Sequence, residues 1–229
     1  HVSLVGSEMC IRDRYSGWYS VSDEAFYSED EIEEINGSKV ATSSKSTVEW
    51  VDEESYFFRL SKWEKPLLEF YEKNPGFISP ESRKNEVVSF VKSGLKDLSI
   101  SRKSFSWGIK VPGNENHVIY VWLDALTNYI SALNYPNTKE KLFKSFWPAS
   151  IHLIGKDILR FHAVYWPAFL LAAKIDLPKK VYGHGWILSG DEKMSKSKGN
   201  ILDPIEIVNE YGLDSLRYYL IKEVSFGND

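Results

Sequence analysis

The sequence predicts an α/β fold in which a parallel sheet occupies the second half of the chain and a smaller domain precedes it. From residue 117 onward, apolar runs alternate with amphipathic helical segments, the pattern of β-α units on a parallel sheet. The chain has 229 residues, 43% of them hydrophobic and 14% aromatic, enough for one large core or two small ones. The same composition excludes a disordered tail.

Composition also limits the cellular setting. No run of eighteen uncharged apolar residues occurs, and residues 161–175 ("FHAVYWPAFLLAAKI") are too short and too interrupted to cross a bilayer, so we expect a soluble protein. The single cysteine, Cys10, excludes an internal disulfide framework, and no Cys/His cluster has the ligand spacing of a structural zinc site. This cysteine usage is consistent with the cytoplasm.

Charge is unevenly distributed along a chain whose formal net charge is -4. Residues 23–34 contain seven acids and no base, whereas residues 174–198 contain six lysines against three acids. The mild overall acidity argues against a protein that coats nucleic acid non-specifically. The basic segment predicts a face that meets phosphate.

Residues 1–14 ("HVSLVGSEMCIRDR") look like a non-native leader. The segment has no initiator methionine, and its charges follow the apolar residues, the reverse of a signal peptide. It is similar to the translated read-through of a sequencing adapter, and we predict that it is not native. An ordinary short strand with a basic turn is the alternative.

The first half of the chain predicts a connector, a strand and a helix in that order. Residues 37–47 are polar and rich in turn formers, without periodicity. Residues 48–60 alternate in the manner of a strand that ends in a buried turn. Ser61 and Glu64 then form a capping box for a helix over residues 61–71.

A second helix and three β-α units follow. Ser79 is the predicted N-cap of that helix, with Pro80 at its first position and Gly94 as its stop. The apolar runs beyond it predict strands at residues 117–122, 149–155 and 179–188, and the amphipathic segments predict helices at about residues 123–133, 158–173 and 204–221. Three strands are too few for a closed doubly wound sheet, so the architecture is either small or half of a larger one.

Two helix faces near predicted strand ends carry aromatic residues. Because Gly155 ends a strand and Asp157 begins a helix, their turn lies at the carboxyl edge of the sheet, where open α/β folds bind ligands. Helical spacing places each of two triplets on one face, namely Ile158, His162 and Trp166, and Trp122, Ala125 and Tyr129. Such faces can wall an apolar pocket with a polar tip at Tyr129 or His162. The alternative for each is a core stripe.

The segment "GDEKMSKSKGN", residues 190–200, combines lysines and serines between glycines. Lys193 and Lys196 are flexible point charges beside serine hydroxyl donors, a combination that can close over a polyphosphate. No GxxxxGK[ST] pattern is present, so the segment is not a P-loop. The alternative is a solvated surface loop. Asp203 is the predicted N-cap of the helix that follows.

These residues together resemble the methionyl-tRNA synthetase family of the class I aminoacyl-tRNA synthetases. "KMSKS", residues 193–197, is similar to the second signature of that class. Further similar blocks occur in the family's order: "YSGWYSVSDEAFY", "EESYFFRLSKW", "DLSISR", "YVWLDALTNYI", "HLIGKDILRFH" and "DSLRYYLIKEVSFGND". The resemblance covers the chain from about Tyr15 to its end and implies a Rossmann-like catalytic fold.

The resemblance also implies a reaction, partners and roles for residues. Methionine and ATP, the latter with Mg²⁺, would form methionyl-adenylate, and the aminoacyl group would pass to tRNA(Met), with no DNA or membrane partner. The methionine pocket would comprise Trp122, Ala125, Tyr129, Ile158, His162 and Trp166. The ATP site would comprise Gly155, Asp157, His184, Gly185, Lys193, Met194, Ser195, Lys196 and Ser197. Catalysis would depend on Lys193, Lys196 and Arg102.

The sequence departs from the family's pattern in three ways, of which the first two indicate a partial chain and the third a knuckle without zinc. The HIGH-type signature, the carboxyl-terminal anticodon-binding domain and the cysteines of a zinc knuckle are all absent from the sequence. We therefore predict a connective insertion domain at residues 15–111, with a zinc-free knuckle region at about residues 15–50. Residues 112–229 would be the second half of the catalytic domain. We also predict that the chain alone makes no methionyl-adenylate.

Three other functions remain open. A leucine, isoleucine or valine synthetase would carry a much larger editing insertion than this chain has room for. A non-catalytic tRNA-binding or regulatory derivative would not need intact Trp122, His162 and Lys196. A generic nucleotide-binding domain would bury Trp122 and Trp166 in its core, away from any pocket.

Overall fold

The computed structural model describes residues 10–22, 25–27, 29–35, 37–42, 44–103, 106–186, 188–189, 192–194 and 201–223. The chain forms two compact units, each built from two segments. Unit 1 comprises residues 1–63 and 95–143, and unit 2 comprises residues 64–94 and 144–229. The sequence-based domain boundary after residue 111 stays a prediction.

An antiparallel sheet is the centre of unit 1. Its strands are β1 (Cys10–Ser20), β2 (Ala25–Tyr27), β5 (Glu49–Phe58) and β7 (Leu98–Ser99), in the order β2-β1-β5-β7. β1 and β5 pair from Cys10 opposite Phe58 to Tyr19 opposite Glu49, which confirms the predicted strand at residues 48–60. Residues 10–14 of the predicted leader begin β1, and their non-native origin stays a prediction.

The predicted connector at residues 37–47 is partly a strand. β3 (Ile32–Ile35) and β4 (Ser38–Ala41) form a hairpin, and Gly37 turns between them at φ +79°. The prediction failed here because Val40 and Ala41 are buried, and that burial is not visible in a short polar stretch. Lys39 also lies over the ring of Trp18, 3.9 Å from its centroid.

A second antiparallel sheet of unit 1 precedes a helix. Its strands are β8 (Ser101–Arg102), β9 (Lys110–Val111) and β10 (Asn114–Ile119), in the order β8-β10-β9, and the helix is α3 (Val121–Ser131). The sequence placed a parallel strand at residues 117–122, which is wrong in direction and in its end. β10 pairs with strands close to it in sequence, and Tyr120 is the N-cap of α3.

Unit 2 begins with the two predicted helices, α1 (Glu64–Lys73) and α2 (Glu81–Lys92). A 3₁₀ turn at Leu60–Trp63 precedes α1, and Ser61 does not cap the helix, because its hydroxyl donates to Asp97 at 2.6 Å. Pro80, not Ser79, is the N-cap of α2. Gly94, at φ +99°, follows the helix as predicted.

A parallel sheet of three strands positions the candidate site in unit 2. β11 (His152–Gly155) pairs with β12 (Val181–His184), which pairs with β6 (Ile78–Ser79). Two of these strands are predicted. The third belongs to the segment predicted as a helix start, and a strand so short is recognisable only from its partner.

The segments after β11 are less regular than predicted. The single helix expected at residues 158–173 is a 3₁₀ turn (Lys156–Ile158), a π-helical turn (Phe161–Tyr165) and α5 (Trp166–Ala172). The helix expected at residues 204–221 divides at Gly212, which has φ +87°. The remaining elements are α4 (Lys141–Phe146), β13 (Leu188–Ser189), β14 (Glu192–Lys193), α6 (Pro204–Tyr211) and α7 (Leu213–Glu223).

Asp203 is the N-cap of α6 as predicted, since its carboxylate accepts from Ile205 N–H at 2.7 Å. Within the described part of the chain, no helix is both long enough and apolar enough to span a bilayer.

Candidate functional site

The carboxyl edge of the parallel sheet in unit 2 brings together three residues of the predicted ATP site. Gly155 ends β11 directly opposite His184, the last residue of β12. A methyl group added at Gly155 would lie 2.5 Å from Asp157 Oδ1 and 3.9 Å from His184 Cε1. Glycine is therefore the residue that leaves the Asp157 carboxylate where it is.

A hydrogen bond orients the imidazole of His184 at this edge. Its Nδ1 donates to the carbonyl of Gly185 at 2.7 Å, so in the neutral ring of His184 the other nitrogen is the acceptor. Lys156 lies 4.0 Å from the ring centroid of Trp186. Sequence reasoning missed this cation-π pair because the two residues are far apart in the chain, although Lys156 lies between two residues that it did select.

The helical segment after this turn carries the second predicted group of unit 2. His162 and Trp166 are almost fully buried, and Ile158 is half-buried. Nδ1 of His162 donates to the carbonyl of Ile158 at 2.9 Å, and Trp166 meets Trp147 edge-on with ring centroids 6.2 Å apart. Ile158 and His162 are thus linked by a hydrogen bond, and Trp166 is a buried core residue.

A second histidine packs on His162, and the pair predicts a pH-dependent stability. The His152 and His162 rings are 6.1 Å apart. Burial, and secondly the proximity of His162, lower the pKa of His152 to about 4. Burial also lowers the pKa of His162, against the opposing effect of its bond to Ile158. Because both histidines have lowered pKa values in the folded chain, the unfolded chain binds protons below pH 6.5 that the folded chain does not, and acid therefore favours unfolding.

We therefore expect the free energy of unfolding to be highest above about pH 6.5. At pH 5 it should be lower by about 2 kcal/mol through the protonation of His152 alone. Urea unfolding at pH 7.5 and pH 5 measures the difference. His152→Leu should flatten the dependence between these two values. A variant with the same pH slope as the parent would contradict the assignment.

The third predicted group lies on α3 in unit 1. Trp122, Ala125 and Tyr129 share one face of this helix, as their spacing predicted. Trp122 is half-buried, whereas Ala125 and Tyr129 are exposed, with 36% of Tyr129 accessible. Partial burial raises the pKa of Tyr129. This face is not a core stripe. The generic-domain alternative would bury both Trp122 and Trp166, and of the two only Trp166 is buried.

Arg102, in β8 of unit 1, is buried among hydrogen-bond acceptors and aromatic rings. One guanidinium nitrogen donates to Ser99 Oγ and to the carbonyl of Ser101, both at 2.7 Å. The same group lies 4.4 Å from the ring centroid of Tyr120 and 5.5 Å from that of Tyr19. Only 4% of the residue is exposed.

The lysine-rich segment is described in part. Lys193 belongs to β14, which pairs with β13 through Leu188, and Met194 beyond it is half-buried. Ser195, Lys196 and Ser197 lie outside the described residues. Among the described residues, no group of three metal-ligating side chains occurs.

Comparison with known proteins adds to this geometry. The family model for class I tRNA synthetases of the M type matches residues 33–229. The chain belongs to this family. Among curated synthetases, methionine–tRNA ligase of Brucella suis is 62% identical over 228 residues, 99% of this chain and 44% of the relative. Methionine–tRNA ligase of Rickettsia prowazekii is 62% identical over 215 residues, 94% of this chain and 41% of the relative.

A solved synthetase structure agrees in fold. Mycobacterium tuberculosis methionyl-tRNA synthetase in complex with methionyl-adenylate superposes with a TM-score of 0.91 at 52% identity, over 95% of this chain and 43% of that one. The chain therefore spans less than half the length of the synthetases it matches. Membership of the M-type family removes the leucine, isoleucine and valine synthetase alternative.

Proposed function

We propose that this chain provides the methionine- and ATP-binding part of a methionine–tRNA ligase. In that reaction the methionine carboxylate attacks the α-phosphate of ATP, pyrophosphate leaves, and methionyl-adenylate donates its aminoacyl group to tRNA(Met). The observation that carries the proposal is the edge of the parallel sheet, where Gly155, Asp157 and His184 converge. Open α/β sheets bind nucleotides at this edge.

The residues at this edge are suited to a nucleoside. Glycine at position 155 permits close approach of the backbone, and the Asp157 carboxylate can accept hydrogen bonds from ribose hydroxyls. The adenine would lie beside His184 and Gly185. Lys193, Met194, Ser195, Lys196 and Ser197 would cover the phosphates of ATP, which enters as its magnesium complex. Donors that arrive as a loop closes stabilise the charge developing on pyrophosphate.

The methionine side chain would contact the two aromatic faces. We assign this role to Trp122, Ala125, Tyr129, Ile158, His162 and Trp166. A thioether near aromatic rings gains about 0.3–1.5 kcal/mol, and a site shaped for an unbranched chain excludes β-branched competitors. Arg102 would assist the activation step. The known Mycobacterium synthetase, whose complex holds methionyl-adenylate, supports both ligand assignments by its likeness to this chain.

The remaining assignments follow from the same reaction. tRNA(Met) is the proposed macromolecular partner and the cytoplasm the proposed location, with no role for DNA or a membrane. Residues 15–111 would be the connective insertion, without zinc, and residues 112–229 the second half of the catalytic domain.

The test uses a graft, defined as this chain in place of the matching region of Brucella suis methionine–tRNA ligase. We expect the graft to catalyse methionine-dependent exchange of pyrophosphate into ATP, and the isolated chain to be inactive. In the graft, Gly155→Ala should raise the KM for ATP about tenfold, because its methyl group displaces the Asp157 carboxylate. A graft that is inactive, although it melts at the temperature of the parent Brucella ligase, would instead favour the non-catalytic derivative.

A matched glycine controls for backbone effects. A methyl group at Gly76, also in unit 2, would meet nothing within 4 Å. Gly76→Ala should leave the KM for ATP within about twofold. If both variants raise it equally, the assignment of the strand edge to ATP is wrong.

A further inference from the structure

The helical segment that carries His162 contains a proline where an α-helix needs a donor. Pro167 has no amide hydrogen, so it cannot donate to the carbonyl four residues earlier, that of Ala163. Immediately before it, the amide of Trp166 donates to Phe161, five residues back, and the backbone makes a single π-helical turn. Such turns require a local cause and occur often at functional sites.

A tyrosine from α1 supplies the missing donor. The hydroxyl of Tyr71 donates to the carbonyl of Ala163 at 2.6 Å, across 92 positions of sequence. Only 3% of Tyr71 is exposed, and its ring stacks on that of Phe77, with centroids 6.2 Å apart and planes inclined by 13°. Burial raises the pKa of Tyr71 above its ordinary value, so the hydroxyl has its proton to donate at neutral pH.

The Ala163 carbonyl, which accepts this bond, is close in sequence to two residues that we propose contact the methionine substrate. Ala163 directly follows His162, and Trp166 closes the same turn. The His162 imidazole is itself held by the carbonyl of Ile158, so its position depends on the backbone at both ends of one short turn. Without the Tyr71 hydroxyl, the Ala163 carbonyl would be buried without this bond, and the turn would shift to find another donor.

We propose that Tyr71 is a positioning residue for methionine recognition, whose hydroxyl holds the π-helical turn that presents His162 and Trp166. The inference rests on the proposed function for its ligand. Tyr71 does not touch the reacting atoms in this scheme. It acts through the Ala163 carbonyl, and its effect should therefore fall on methionine binding and not on ATP.

The first measurement concerns the turn itself and uses the chain alone. In Tyr71→Phe, amide hydrogen exchange at Trp166 should accelerate about tenfold, because the turn loses one hydrogen bond of ordinary strength. Exchange at Val87 and Val91, buried in α2, should stay unchanged. Equal exchange at Trp166 in parent and variant would overturn the structural part of the inference.

The second measurement uses the graft and separates positioning from packing. Tyr71→Phe should raise the KM for methionine about tenfold and leave kcat and the KM for ATP within about twofold. Phe77→Leu is the matched control, since it loosens the ring stack but keeps the hydroxyl. Phe77→Leu should lower the melting temperature about as much as Tyr71→Phe does. It should leave the KM for methionine within about twofold of the parent graft.

The outcomes are distinguishable. An active graft in which Tyr71→Phe leaves the KM for methionine unchanged, or in which Phe77→Leu raises it equally, overturns the inference. A graft without methionine-dependent exchange overturns the proposed function and the methionine role of Tyr71 with it. The exchange measurement still decides whether Tyr71 holds the π-helical turn.

Discussion

Replacing Arg102 by alanine should lower the free energy of unfolding by about 3 kcal/mol or more. Arg102 is 4% exposed, and its guanidinium makes two hydrogen bonds of 2.7 Å, to Ser99 Oγ and the carbonyl of Ser101. Hydrogen bonds from a charged donor contribute about 1.5–3 kcal/mol, and a desolvated cation over an aromatic ring contributes about 2 kcal/mol. Alanine removes both and leaves buried acceptors behind. Urea unfolding of the chain measures the loss.

Two variants define the origin of that effect. Arg102→Lys keeps the charge but loses the planar fork, and we expect it to recover about half of the stability. Arg160→Ala is the exposed control, because Arg160 also stacks on a ring, 4.3 Å from the centroid of Phe90. It should cost less than about 1 kcal/mol. Equal losses at the two arginines would mean that burial of Arg102 contributes nothing.

In the graft, the same substitution tests the proposed role in activation. If Arg102 stabilises the charge that develops on ATP, Arg102→Lys should slow methionine-dependent pyrophosphate exchange about 100-fold or more at a temperature where the protein stays folded. A folded Arg102→Lys graft with the parent's rate would leave Arg102 a structural residue only.

Truncating Trp166 to alanine should cost about 3–5 kcal/mol, the range for a large aromatic residue removed from a packed core. Trp166 is 2% exposed and meets Trp147 edge-on, so alanine leaves a cavity and removes that contact. Trp166→Phe should cost less, because it keeps a ring at the same place. Thermal or urea unfolding of the chain measures all three proteins.

Trp107 provides the matched control for this prediction. It is 91% exposed, so Trp107→Ala should change the free energy of unfolding by no more than about 0.5 kcal/mol. A loss below about 1 kcal/mol for Trp166→Ala would contradict its burial. The Trp166 site would then have to open to solvent in solution.

Several parts of the fold and the site could be predicted because their cause is local. Asp203 caps α6 through a bond two residues away, and Gly94 ends α2 in a conformation that glycine adopts readily. The carboxyl end of β11 could be located because Gly155 and Asp157 mark a strand-to-helix turn. The family blocks added the reaction, which no local pattern specifies.

Other parts were wrong because their cause is distant in sequence. Ser61 and Glu64 have the spacing of a capping box, yet the Ser61 hydroxyl donates to Asp97. The residues around Ser61 do not predict a partner so far away in the sequence. β10 has the apolar run of a parallel strand but pairs antiparallel with β8 and β9. The direction of a strand depends on the strands with which it pairs, and an apolar run alone does not predict which strands those are.

By itself, the sequence determined the family, the mixed α/β class, the Asp203 cap and the residue types of the candidate site. Only the tertiary structure decided the positions of Arg102, His162 and Tyr71. Pro167 lies inside the segment that the sequence predicted as a single helix, and only the fold shows that a hydroxyl 92 positions away donates to the carbonyl that this proline cannot pair. The physical reason is that buried polar groups need partners, and the chain can supply them from any position that folding brings near.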